Sequence, residues 1–114
     1  MTDPTDLVPG TLELLVLKAL SLEPMHGWGI GQRIEQMSRD VFRVAQGSLY
    51  PALQRMLRRG WIKSKWRVTD NGRRARYYHM TASGKRELEA QTAAWHRASG
   101  AVNGALAFRL SEGT

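Results

Sequence analysis

The sequence predicts a mainly α-helical chain carrying a small two-stranded antiparallel wing, and three observations predict it. Apolar residues recur at helical spacing in four segments broken by glycine or proline. A single Asp70-Asn71-Gly72 turn separates two runs rich in aromatic and β-branched residues, which is a hairpin signal. Basic charge is gathered in one place. Residues 55–86 hold eleven Lys and Arg against one acid, Asp70, so a chain of net charge +7 is −3 outside that segment.

Thr11–Leu22 opens the order with apolar positions around most of the circumference, so this helix is expected to be buried on nearly all sides. Glu23-Pro24 ends it, because a residue before proline avoids the helical region. His26-Gly27 begins a second helix to about Ser38, with Trp28, Ile30, Ile34 and Met37 as its inner stripe. Gly27, Gly29 and Gly31 weaken that helix and suit close packing; no strand is expected before them and they do not form a dinucleotide fingerprint.

After a connector from Arg39 to Gln46, Pro51 sets the start of a third helix near Gly47 or Ser48, with Ser48 as the expected N-cap and Gly60 as the stop. Leu49, Leu53, Met56 and Leu57 face inward, while Tyr50, Gln54, Arg55 and Arg58 face out. Strands over Trp61–Val68 and Ala75–Met80 follow, with Asn71, Gly72, Arg73 and Arg74 at the hairpin tip. Thr81 caps a last helix that continues past Trp95, its end blurred by Gly100 and Gly104. The tail from Leu110 is expected to fray. The expected division is a winged helix-turn-helix over 8–80, a C-terminal helix over 81–108, and flexible termini at 1–7 and 109–114.

Composition excludes several classes. No cysteine is present, which removes disulfide scaffolds, thiolate metal sites and cysteine nucleophiles and suits a reducing cytoplasm. The first ten residues carry two acids and no base, unlike a secretory signal. The longest apolar run, Leu14–Leu17, is far short of the roughly 20 residues needed to span a bilayer. A soluble, cytoplasmic protein with no membrane partner is expected. His26, His79 and His96 lack metal-ligand spacing, the acids are scattered, and there is no nucleophile triad or P-loop. Neither catalysis, a cofactor nor a metal is expected.

Concentrated positive charge repels itself unless a polyanion meets it, and the arrangement favours double-stranded DNA over a merely solvated face or an anionic membrane. A helix fits the major groove, and a basic hairpin is the size to lie along the neighbouring backbone or minor groove. Ser48, Tyr50 and Gln54, in the first turns of the third helix, are candidate base readers. Arg55, Arg58 and Arg59 toward its end, and Asn71, Gly72, Arg73 and Arg74 in the wing, are candidate phosphate contacts. Lys63, Lys65 and Arg67 alternate along one strand face, either on phosphates or as solvated charges. Tyr50 has a second reading as a half-buried packing residue.

Leu88, Thr92, Trp95, Ser99, Val102 and Leu106 alternate by four and three, forming a heptad seam weakened by Thr92 and Ser99. Leu88, Trp95 and Val102 are therefore candidates for a homodimer interface. Trp95 has two readings, a core or dimer residue, or an aromatic wall for a planar small-molecule effector.

The runs Gly10–Leu17, Met25–Ile30 and Gln46–Leu53, together with Arg59-Gly60-Trp61-Ile62, Tyr78 and Thr81–Gly84, resemble the PadR family of transcription regulators over about residues 8–95. The most specific part is Gly47-Ser48-Leu49-Tyr50-Pro51-Ala52-Leu53. The resemblance implies a short form with a single C-terminal dimerisation helix, acting as a homodimeric repressor on a pseudo-palindromic operator, relieved in some members by phenolic or drug-like compounds. It puts Ser48, Tyr50 and Pro51 in the recognition-helix motif and Asn71–Arg74 in the wing. The short sequence after the last helix departs from members with a larger C-terminal effector domain, and an inducer is correspondingly less expected.

Overall fold

The structure, a computed structural model, describes residues 10–111. All of the expected flexible segment 1–7, with nearly all of the N-terminal stretch unlike a secretory signal, and residues 112–114 of the expected flexible C-terminus lie outside those residues. The order is α1 (Thr11–Leu22), β1 (Met25–His26), α2 (Gly27–Met37), α3 (Gln46–Arg58), β2 (Ile62–Val68), β3 (Arg74–Met80) and α4 (Ala82–Ala107). The three strands form one antiparallel sheet in the order β1-β3-β2.

The third strand is a correction to the two-stranded wing. Met25 pairs with Tyr78 and His26 with Tyr77, closing the inner edge of the hairpin. Two residues cannot display the alternation that marks a strand, so pairing alone created β1. His26 also caps α2, its Nδ1 accepting the Gly29 N–H at 3.0 Å.

The core joins Val16, Leu17 and Leu20 of α1, Ile30 and Ile34 of α2, Leu49, Leu53 and Met56 of α3, and Ile62 and Tyr78 of the sheet. Burying each such aliphatic side chain contributes about 1.5–3 kcal/mol relative to leaving it in water. α1 is less enclosed than expected: Lys18, Ser21 and Leu22 are exposed, while Leu12, Leu14 and Leu15 are half-buried. Its surplus of leucines borders grooves with α4 instead of a closed core. Trp28 is corrected too. Gly27, Ile30, Gly31 and Ile34 take the interior positions of α2, so Trp28, about 100° further round, points outward and is 62% exposed.

α3 begins earlier than expected. Ala45 is the N-cap and makes no side-chain cap bond, so Ser48 lies inside the helix with an exposed side chain. Pro51 consequently falls beyond the first turn, where its ring removes the N–H that would meet the Gly47 carbonyl; Gly47 is exposed, so water can serve that oxygen. The hairpin register runs from Ile62 opposite Met80 to Val68 opposite Arg74, which puts Arg74 in the strand and not in the turn. Gly72 takes φ +82, the left-handed conformation that the turn requires.

α4 starts where Thr81 accepts the Gly84 N–H at 3.0 Å and donates to the Gly60 carbonyl at 2.6 Å. A Cβ on Gly84 would overlap the Trp61 carbonyl, so this helix meets the sheet at a backbone-to-backbone approach only glycine permits. α4 then continues through Gly100 and Gly104 to Ala107, about 39 Å at 1.5 Å per residue. Leu88 packs against the core, but every residue from Gly100 to Ser111 is exposed.

Candidate nucleic-acid interface

α3 lays its apolar stripe on α1 and α2, which leaves Gly47, Tyr50, Pro51, Gln54 and Arg58 on the exposed side. Strand alternation fixes what the wing offers to that side. Ile62 and Tyr78 point into the core, so the residues two and four further out on the same sheet face, Trp66, Arg76 and Arg74, extend that face past the core toward α3. The result is an open cleft of about 950 Å³ bordered by Tyr50 and Gln54 on one wall and Trp66, Asn71, Arg73, Arg74 and Arg76 on the other, with Trp28 at its end.

Two arrangements inside the cleft restrain its side chains. Arg76 Nε donates to Ser64 Oγ at 2.7 Å, and the Arg74 guanidinium lies 5.0 Å over the Trp66 ring. Such cation–π contacts hold a guanidinium in place while leaving its outer N–H groups available. The turn is tied by Thr69, whose N–H and hydroxyl both meet the Arg73 carbonyl, at 2.7 and 2.9 Å. The Thr69 hydroxyl also bonds the Asn71 side chain, so Asn71 is engaged within the turn. Among the described residues Asp70 is the one acid bordering the cleft.

Tyr50 both borders the cleft and packs on its own chain. It is 46% exposed toward the cleft, yet its hydroxyl end covers Gly27, where an added Cβ would come within 2.9 Å of it. Behind it, burial pushes the Tyr78 phenol above its ordinary value; the positive charge of Arg76 opposes the shift and Tyr50 adds to it.

The structure therefore assembles Tyr50, Gln54, Asn71, Gly72, Arg73 and Arg74 around one cleft or its rim, with Pro51 and Arg58 on the same exposed side of α3. It separates others. Lys63, Lys65 and Arg67 pair with His79, Tyr77 and Ala75 on the opposite face of the sheet, where Arg67 stacks 4.6 Å over Tyr77. Ser48, Arg55 and Arg59 lie on the α3 flank toward α1, where both arginines pair with Glu13. Residue-by-residue reading missed Trp28, Trp66 and Arg76 as cleft residues. Counting outward in steps of two from Ile62 and Tyr78 would have found the latter pair.

Trp95 is 43% exposed and stands between two grooves. One, of about 340 Å³, is almost wholly apolar, with Leu14, Leu15, Phe42 and Leu88 around the indole. The other includes Glu13, Arg59, Trp61 and Gln91. Val102, two turns beyond, is 56% exposed. Among the described residues no cluster of His, Asp and Glu could hold a metal ion, and no helix is long and apolar enough to cross a membrane.

Helices bracing an exposed third helix, followed at once by a basic hairpin, define a winged helix-turn-helix domain. The comparisons with known proteins narrow the class. The chain belongs to the Transcriptional regulator PadR-like family, whose profile matches residues 16–90. It is 31% identical over 103 residues to the transcriptional regulator Rv3488 of Mycobacterium tuberculosis, covering 90% of this chain and 92% of that one. It is similar in structure to a PadR-like transcriptional regulator of Bacillus cereus, at 29% identity and a TM-score of 0.76, over 88% of this chain and 95% of that one. Likeness extends to smu.1704 of Streptococcus mutans, at 26% identity and a TM-score of 0.80, over 98% and 99% of the two chains.

Proposed function

We propose that this transcriptional regulator binds duplex DNA as a homodimer and represses transcription from a pseudo-palindromic operator. The observation that carries the reading is the cleft between α3 and the wing, which gathers Tyr50 and Gln54 of the helix with Arg73, Arg74 and Arg76, while Arg58 lies on the same exposed side of α3. In this reading α3 enters the major groove, where Gln54 can pair with an adenine edge and Tyr50 can meet a thymine methyl or a phosphate. The wing arginines follow the adjacent backbone or minor groove. Dimerisation is supported by the distal α4, where Val102 and Leu106 continue the seam of the half-covered Trp95 and stand 56% and 80% exposed. One reading helix per protomer then implies half-sites about one helical turn apart.

Equilibrium binding to the upstream DNA of its own gene and to scrambled duplex tests this. Specific affinity at least about 10³ tighter, lost in Tyr50→Ala, supports the reading. Equal weak binding to all duplexes, or a footprint without two-fold symmetry, overturns it.

A second reading is favoured by the apolar groove beside Trp95: a planar aromatic effector resting on the indole and releasing DNA. Quenching of tryptophan emission by such compounds, abolished in Trp95→Phe but retained in Trp66→Phe, is its expected signature. Quenching that survives Trp95→Phe excludes it.

A further inference from the structure

We propose that Glu13 is an internal counter-anion that holds Arg55 and Arg59 off duplex DNA and so limits how many phosphates each protomer engages. The inference rests on the DNA-binding reading above.

Glu13 is in the first turn of α1, and its side chain is only 14% exposed. Its Oε1 accepts from Arg55 Nε at 3.2 Å and its Oε2 from Arg59 Nη1 at 2.9 Å, so one carboxylate bridges both arginines across the α1–α3 junction. Arg59 is further fixed by the Trp61 ring, 5.0 Å from its guanidinium. The arginine side chains themselves remain 42% and 51% exposed, within reach of a polyanion lying along α3. Among the described residues no other cation of the basic segment pairs with a carboxylate. Arg58, between the two in sequence, is on the exposed side of the helix.

A phosphate must therefore compete with Glu13 for these two arginines. Drawing them away would strand a largely buried carboxylate, which is costly. Phosphate contacts carry no sequence information. A carboxylate that withholds two of them lowers non-specific binding while leaving the Tyr50 and Gln54 face untouched. The consequence is weaker and less salt-sensitive binding to any duplex, so that base contacts carry a larger share of the free energy of the specific complex.

The test measures binding of the full chain to scrambled duplex across a salt series, for wild type, Glu13→Gln, Arg55→Ala/Arg59→Ala and the triple variant. Glutamine keeps the shape and removes the charge. Glu13→Gln is expected to steepen the log–log salt slope by about 0.9 to 1.8 per bound protomer, for one or two added phosphate contacts. That enlarges the affinity loss between about 50 and about 200 mM salt by about 3- to 12-fold. The gain should vanish in the triple variant, and the double arginine variant should keep the wild-type slope.

A wild-type slope that flattens in the double variant overturns the proposal, because both arginines would then already contact phosphate. This arm leaves Glu13 in place, and with the double variant shown to be folded by circular dichroism it stands even if Glu13→Gln folds poorly. An unchanged slope in folded Glu13→Gln overturns it as well, leaving Glu13 a structural tie between α1 and α3. Wild type without salt-dependent duplex binding overturns the DNA reading itself, and this inference with it.

Discussion

The α3–wing cleft and the distal half of α4 are both exposed, yet they are exposed for opposite reasons. The cleft mixes charge with aromatic surface: Gln54, Arg73, Arg74 and Arg76 stand in solvent at little cost, while the Trp66 ring lies under the Arg74 guanidinium and Tyr50 packs over Gly27. Distal α4 leaves Val102 at 56% and Leu106 at 80% exposure, with Phe108 at 73% just beyond the helix, and water solvates those poorly. A basic face is stable alone and gains from a partner; an apolar seam is stable only when covered. The first therefore suits reversible binding of a polyanion, and the second a lasting association.

Both regions hang from one joint, which gives the largest expected effect. Gly84→Ala places a methyl group on the Trp61 carbonyl, a backbone atom that cannot move without shifting β2 or α4. A loss of about 3 kcal/mol or more is expected in denaturant unfolding, with cleft and seam lost together. Full stability in this variant would show that α4 can pivot on the sheet.

Next comes the seam by itself. Val102→Glu with Leu106→Glu puts two charges where a partner would bury them, while neither residue supports its own protomer. Sedimentation should show dimer affinity weakened by at least about 100-fold with the monomer melting unchanged. A dimer that persists would move the interface off this face.

Within the wing, the two sheet faces provide a finer comparison. Arg73→Ala and Arg74→Ala should each reduce the salt slope of DNA binding by about one. Lys63→Ala and Lys65→Ala, on the opposite face, should change it by less. Equal effects from all four would mean that DNA wraps the hairpin instead of lying in the cleft.

The smallest effect concerns the residue behind the cleft. Burial raises the Tyr78 phenol above its usual value near 10, so the folded state favours the protonated form. That contribution is whole below pH 10 and is lost as pH climbs through the folded value. Tyr78→Phe should flatten the alkaline limb of the stability profile measured by denaturant unfolding, and a limb as steep as that of wild type would show that burial of this phenol is not its source.

Much of this architecture is encoded locally in the sequence. Thr81 as a cap, Asn71-Gly72 as a turn and the Leu49–Leu53–Met56 stripe each act through neighbours a few residues away, and such short-range rules operate within the sequence itself. The resemblance to the PadR family rested on local runs of the same kind. Errors clustered where a residue had two permissible positions. Ser48 is a good cap that the chain did not use, because α3 started at Gln46. Trp28 is a good core residue displaced by two glycines that pack closer.

The sequence by itself determined the order of helices and hairpin, the placement of charge, and which helix would carry the polar face. Tertiary structure alone decided which basic residues share a surface. Arg74 and Arg76 look toward α3, Lys63 and Lys65 look away, and Arg55 and Arg59 are turned to Glu13, 42 and 46 positions distant in the chain. The reason is physical: period and propensity act over a few residues, whereas an ion pair or a sheet face is fixed by packing between elements that the chain brings together only on folding.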